Sequence, residues 1–172
     1  MATSTSRLFG AAAALAVAVG TAVAGLPAQA AGSPPCTNAD LTASYHLGGG
    51  AMGTRYGRIV LRNTSDHACH TGGYGGLSYV GDGDGTQIGA PARRLDASDV
   101  ATYVLRPGQR LRSPIGETEA ANYPPRRCHP AHVDGFRIYV PNATASQYVV
   151  HPTTGCRNPK VHLLSQKPYR RP

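Results

Sequence analysis

The residues with most to offer chemically are histidines set beside cysteines. His67 and His70 flank Cys69, His129 and His132 follow Cys128, and His151 comes shortly before Cys156. Neutral imidazoles bind Zn²⁺ or Cu²⁺ through a ring nitrogen, which makes His67, His70, His129 and His132 the candidate metal ligands of this chain. The competing reading is solvated imidazoles in separate loops. Nearness in sequence does not make ligands converge, and a cysteine locked in a disulfide offers no thiolate. On this weighing no metal and no cofactor is assigned.

The other constellations carry less. Asp82-Gly83-Asp84-Gly85 presents two carboxylates, but a calcium loop needs more oxygen ligands and a closing bidentate acid, and the next acid is Asp96. A hairpin turn accounts for the motif, because Gly and Asp tolerate positive φ. Gly72 to Gly76 lacks the strand–loop–helix setting and the Lys-Ser/Thr pair of a phosphate loop. Its simpler reading is a strand corner with Tyr74 packed over glycine backbone. Ser, His and Asp are present without a G-x-S-x-G elbow. No thiol is left for a Cys/His nucleophile once the cysteines are paired. Glu117 and Glu119 could form the carboxylate pair of a glycosidase, yet both read as solvated residues of one loop. Asn63-Thr64-Ser65 and Asn142-Ala143-Thr144 match the glycosylation sequon and read more simply as turns. No catalytic residue emerges, and a non-enzymatic protein is expected.

Charge bounds the partners. The formal net charge is +8, and Lys160 and Lys167 are the only lysines among the cations. The arginines fall in scattered pairs, Arg58 with Arg62, Arg110 with Arg112, Arg126 with Arg127, and Arg170 with Arg171. Nucleic-acid binding wants cations interleaved with exposed aromatics on one surface, so nucleic acid is not expected. An anionic cell-wall polymer or a protein is the expected partner.

The elements that must position these residues are short strands behind an export leader. Arg7 opens a basic n-region, Leu8 to Ala24 is apolar, and Ala28-Gln29-Ala30 is an A-x-A cleavage site. Residues 1–30 therefore read as a signal peptide, and cleavage leaves 142 residues with net charge +7. No later apolar run is long enough to span a membrane. A secreted, extracellular protein, held at the cell wall by charge alone, is the expectation for localisation. Residues 31–35 read as a flexible lead, 36–166 as one domain, and 167–172 as a disordered basic tail. Within the domain, alternation predicts strands over Leu41–His46, Tyr56–Arg62, Leu77–Val80, Gln87–Ala90, Val100–Leu105, Phe136–Val140, Tyr148–His151 and Val161–Leu164. Leu111, Ser113 and Ile115 continue the pattern weakly. Pro91 to Ala97 reads as a linker, and Glu117 to Arg127 as a loop with one helical turn. Frequent turns such as Arg106-Pro107-Gly108-Gln109, with no amphipathic helix, argue for a β-sandwich of about seven or eight strands.

The four cysteines of an exported chain imply two disulfides, with three pairings open to sequence alone. Antiparallel hairpins favour one. The end of the second strand lies beside the start of the first, which brings Cys69 to Cys36. The end of the Tyr148 strand lies beside the start of the Phe136 strand, which brings Cys156 to Cys128.

One stretch organises the rest. Arg62-Asn63-Thr64 runs through Cys69 to Gly72-Gly73-Tyr74-Gly75-Gly76-Leu77-Ser78. The opening Cys36-Thr37-Asn38-Ala39-Asp40-Leu41 precedes it. Ile88-Gly89-Ala90-Pro91, Leu105-Arg106-Pro107-Gly108, Asn122-Tyr123 to Cys128, and Gly135-Phe136-Arg137-Ile138-Tyr139-Val140-Pro141 follow in order. In this order and spacing the chain resembles the domain of unknown function 4232 family, found in exported proteins of high-G+C Gram-positive bacteria. The resemblance implies export and an immunoglobulin-like β-sandwich. It brings no catalytic residue, because the family carries no established activity. Gly75 stands where a proline often follows the corner tyrosine, and the histidines beside the cysteines are unusually many. Residues, charge and compartment together give the expected function: an exported, non-enzymatic β-sandwich module that binds a protein or cell-wall polymer. The alternative is a small secreted metal-binding protein or metal-dependent enzyme.

Overall fold

A computed structural model describes Met1, residues 32–96 and residues 100–172. The expected signal peptide lies almost wholly outside the described residues. Residues 32–172 form one compact unit.

The unit is built almost entirely of strands: β1 (Leu41–Ala51), β2 (Thr54–Asn63), β3 (Cys69–Gly72), β4 (Gly76–Gly81), β5 (Thr86–Ile88), β6 (Arg93–Arg94), β7 (Thr102–Leu105), β8 (Arg110–Thr118), β9 (Pro130–Tyr139), β10 (Ser146–Cys156) and β11 (Leu164–Gln166). A five-stranded sheet runs in the order β1-β2-β8-β11-β6, a four-stranded sheet runs β10-β9-β4-β5, and β3 pairs with β7. The only helical pieces among the described residues are a 3₁₀ turn at Ala120–Asn122 and α1 (Pro125–Cys128). No helix among them is long and apolar enough to cross a membrane. The all-β expectation with two disulfides holds.

The core sits between the two larger sheets. Period-two alternation puts Ile59 and Leu61 of β2, and Leu111 and Ile115 of β8, into one buried cluster with Leu77 and Tyr79 of β4 and Phe136 and Ile138 of β9. The weakly patterned stretch around Leu111 is thus a central strand, paired with β2 on one side and β11 on the other.

Disulfides close both hairpins, Cys36 to Cys69 and Cys128 to Cys156. This is the pairing that the hairpin order favours. The loops they close, 33 and 28 residues in sequence separation, should each be worth about 3–4 kcal/mol by chain entropy. Reduction of the folded protein should therefore lower its urea midpoint sharply.

At the Cys69 end, buried Asn63 does what its turn chemistry predicts. Its amide donates to the carbonyls of His67 and Leu105, both at 2.9 Å, and its Oδ1 accepts the Ser65 N–H. Asp82-Gly83-Asp84-Gly85 is a hairpin turn, with positive φ at Asp82, Gly83 and Gly85. Its carboxylates are used internally. Asp82 receives both terminal nitrogens of Arg157, and Asp84 accepts the Thr86 N–H.

Two segments depart from the sequence expectations. The flexible lead is pinned, because Pro34 O accepts the His70 N–H at 2.8 Å and Cys36 N–H donates to His70 O. The disordered tail is corrected outright. Lys167 N–H donates to Pro114 O, and Arg170 and Arg112 exchange backbone bonds at 2.8 and 2.9 Å, so residues 167–170 extend the β11 ladder along β8. Tyr169 is fully buried.

Where the edges of the two sheets meet, a side chain acts as ladder. Gln147 of β10 accepts the Ala43 N–H at 2.8 Å and donates to Leu41 O at 2.5 Å and Asn38 Oδ1 at 3.1 Å. Its amide stands in for a neighbouring strand's peptide and caps an otherwise open edge. Replacing Gln147 with Ala orphans two backbone groups of β1. The expected cost is about 1–3 kcal/mol, read by urea unfolding.

Candidate functional site

The histidines separate into different places. The His67 ring lies between Asp40 and Asp66, at 3.4 and 3.1 Å. His70 Nδ1 meets Ser33 O at 2.6 Å. His129 caps α1 in the left-handed conformation and is exposed. His132 lies 3.3 Å from Asp134. Among the described residues, no three His, Cys, Asp or Glu side chains are grouped to hold a metal ion.

The chemically loaded centre is instead around Glu117. It was expected in a solvated loop. The structure corrects this, because Glu117 ends the inward row Leu111, Ser113, Ile115, Glu117 of β8 and is fully buried. Three donors from three other strands converge on it. Tyr45 of β1 donates its hydroxyl to Oε1 at 2.7 Å. Tyr79 of β4 donates to Oε2 at 2.6 Å, and His151 Nε2–H of β10 donates to the same oxygen at 2.8 Å. The His151 ring stacks on Phe136 with centroids 4.6 Å apart and planes 7° from parallel.

The electrostatics follow from this packing. Burial pushes the Glu117 carboxyl up, but the bonds from His151, Tyr79 and Tyr45 and the His151 charge outweigh it and hold the group below its ordinary value. Burial pushes both tyrosines up, and the carboxylate beside them pushes further. Neither phenol ionises near neutral pH. The carboxylate is closed to solvent, and its bonds to Tyr45, Tyr79 and His151 join the two sheets.

Beside it lies a cleft of about 530 Å³. Its lining is in register with the network. Arg55 of β2 stands opposite Glu117, Glu119 follows Glu117, and Thr153 follows His151. Tyr123, Pro125 and Pro130 supply the apolar wall. Arg55 donates to Thr153 Oγ1 at 2.6 Å, and its Nε has no hydrogen-bond partner among the described residues. Arg127 lies over the Tyr123 ring, 5.7 Å from its centroid, and Arg126 beside it is exposed. Glu119 is exposed on the rim, so the expected Glu117–Glu119 pair is split between core and surface. Sequence reasoning named Tyr123 only within a family motif and did not single out Arg55 or Thr153. Their adjacency comes from packing between the sheets, which no local motif records.

The glycine corner carries Tyr74. Its hydroxyl donates to Leu95 O and Arg94 covers its ring at 5.3 Å, which ties down the segment carrying β6.

The chain matches the family model for Domain of unknown function (DUF4232) over residues 36–169. It therefore belongs to that family. No curated protein and no solved structure matches it.

Proposed function

We propose that this protein is an exported, non-enzymatic binding module that holds an anionic cell-wall polymer at the Arg55 cleft. The observation that carries this reading is the cleft itself. It sets a half-buried guanidinium against an aromatic wall at one end of a disulfide-closed sandwich, with the exposed Arg127 over the ring of the lining Tyr123 and Arg126 next to it in sequence. The leader-like N-terminus and the net charge of +7 left after its cleavage support export and an anionic partner. Among the described residues the only fully buried acid, Glu117, is taken up by structural bonds, which weighs against a reactive site there.

Co-sedimentation with purified cell walls tests the proposal. The protein should pellet at low salt and be released near about 0.5 M salt, where exposed charges are screened within a few ångströms. Arg126→Gln with Arg127→Gln should weaken retention about tenfold without loss of fold, since both residues are exposed. Failure of the unaltered protein to pellet at low salt sinks the reading. Capture of a protein instead of wall material would move the partner to the other expected class.

A further inference from the structure

A second surface, on the outer face of the four-stranded sheet, has a different chemistry. A groove of about 420 Å³ is lined by Val80, Gly83, Asp134, Arg137, Gln147 and Tyr148, among others. Tyr148 of β10 is 56% exposed, although it is a large aromatic on a regular strand. Its ring is fixed. The hydroxyl donates to Asp134 O at 2.9 Å. The ring leans across the ladder and lies over Gly135 of β9, where an added Cβ would sit 2.7 Å from Cε2 and 3.0 Å from Cζ. One face of the phenol is thus seated on glycine backbone and the other is left open. Val150, two residues along the same face, is 70% exposed and extends the apolar strip.

Groups of both hydrogen-bonding senses surround this platform. Asp134 Oδ2 accepts the Gly83 N–H at 2.9 Å, and its Oδ1 is 3.3 Å from His132. Arg137 donates to Gly85 O, which anchors the guanidinium in the groove. Ser146 adds an exposed hydroxyl. A rigid aromatic face bordered by a carboxylate, a guanidinium and a hydroxyl fits a pyranose ring. The axial C–H groups of a sugar are weakly positive and meet the negative face of the phenol, while its equatorial hydroxyls need both donors and acceptors at the edge. Asp134 would repel a purely anionic ligand, which favours an uncharged one in this groove.

We propose that the Tyr148 groove is a carbohydrate-binding site that takes one pyranose unit of an uncharged glycan, stacked on Tyr148. A tyrosine over a cross-strand glycine also shields that glycine and stabilises the sheet. The two roles predict different results. Stacking on Gly135 alone would show only in unfolding, whereas sugar binding shows in titration.

The test is a titration of the folded domain with an N-acetylglucosamine tetramer and, separately, a glucose tetramer. Amide shifts and tyrosine fluorescence report binding, and the chain has no tryptophan to mask the latter. A saturable millimolar response confined to Asp134, Arg137 and Ser146 to Val150 is expected with at least one oligosaccharide. Tyr148→Ala should abolish it, Tyr148→Phe should retain it within about threefold, and Arg126→Gln with Arg127→Gln should leave it unchanged. No saturable response from either oligosaccharide, or an unaltered response in Tyr148→Ala, overturns the proposal. Neither outcome bears on wall retention by the Arg55 cleft.

Discussion

Replacing Glu117 with alanine should cost the folded state about 3–5 kcal/mol at neutral pH, the usual penalty for removing one partner from a buried hydrogen-bonded charge network. Three donors would be stranded between the sheets, the hydroxyls of Tyr45 and Tyr79 and the His151 Nε2–H. Glu117→Gln keeps the shape and one acceptor oxygen, so it should cost less, about 1.5–3 kcal/mol, as charge-assisted bonds become neutral ones. The pH dependence separates this from simple packing. Glu117 titrates lower in the fold than in the unfolded chain. Its contribution is therefore fully present above the ordinary carboxylate value and is lost as pH falls through the folded-state value. Urea unfolding from neutral pH down to about pH 2 should show the native and Glu117→Gln curves converging in acid. Parallel curves with a constant gap would mean that the carboxylate's charge contributes nothing.

The network also shows what the sequence could and could not reveal. The sandwich was legible because alternation at Ile59 and Leu61, and at Phe136 and Ile138, matches their burial. The disulfides were legible because hairpin order places cysteines at strand ends. Glu117 was missed because an acid followed by Pro124 and Pro125 reads as loop. The phase of Leu111, Ser113 and Ile115 in fact carries straight onto it, and an acid on the inward phase of a strand is the signal that could have found it. Its partners could not be found in the same way. Tyr45, Tyr79 and His151 lie 72, 38 and 34 residues away, and only the packing of one sheet against the other brings them together. The Arg55 cleft shares this origin, and the Tyr148 groove comes from register within one sheet. Each is assembled from residues that are ordinary in their own strands.

The tail makes the same point with a large expected effect. Residues 167–172 contain one apolar ring among prolines and cations, and composition alone calls such a segment disordered. Its anchors are backbone groups, which composition cannot show. Tyr169 N–H donates to Gly73 O at 2.7 Å, and its ring reaches Gly75, where an added Cβ would lie 3.4 Å from Tyr169 Cε2 and 2.3 Å from Tyr139 O. The glycine corner is therefore the seat of the C-terminal tyrosine, and the approach of Tyr139 O leaves no room for a side chain at Gly75. Tyr169→Ala should cost about 3–5 kcal/mol, the range for emptying a buried aromatic site. Deleting residues 167–172 should cost at least as much, because it also removes the bonds to Pro114 and Arg112. Tyr169→Phe should be neutral or slightly stabilising, since the buried hydroxyl has no hydrogen-bond partner among the described residues and burial alone pushes its ionisation up. Thermal and urea unfolding of the three variants would decide it. A deletion within about 0.5 kcal/mol of the full chain, the scatter of an ordinary surface change, would return the tail to the disordered class.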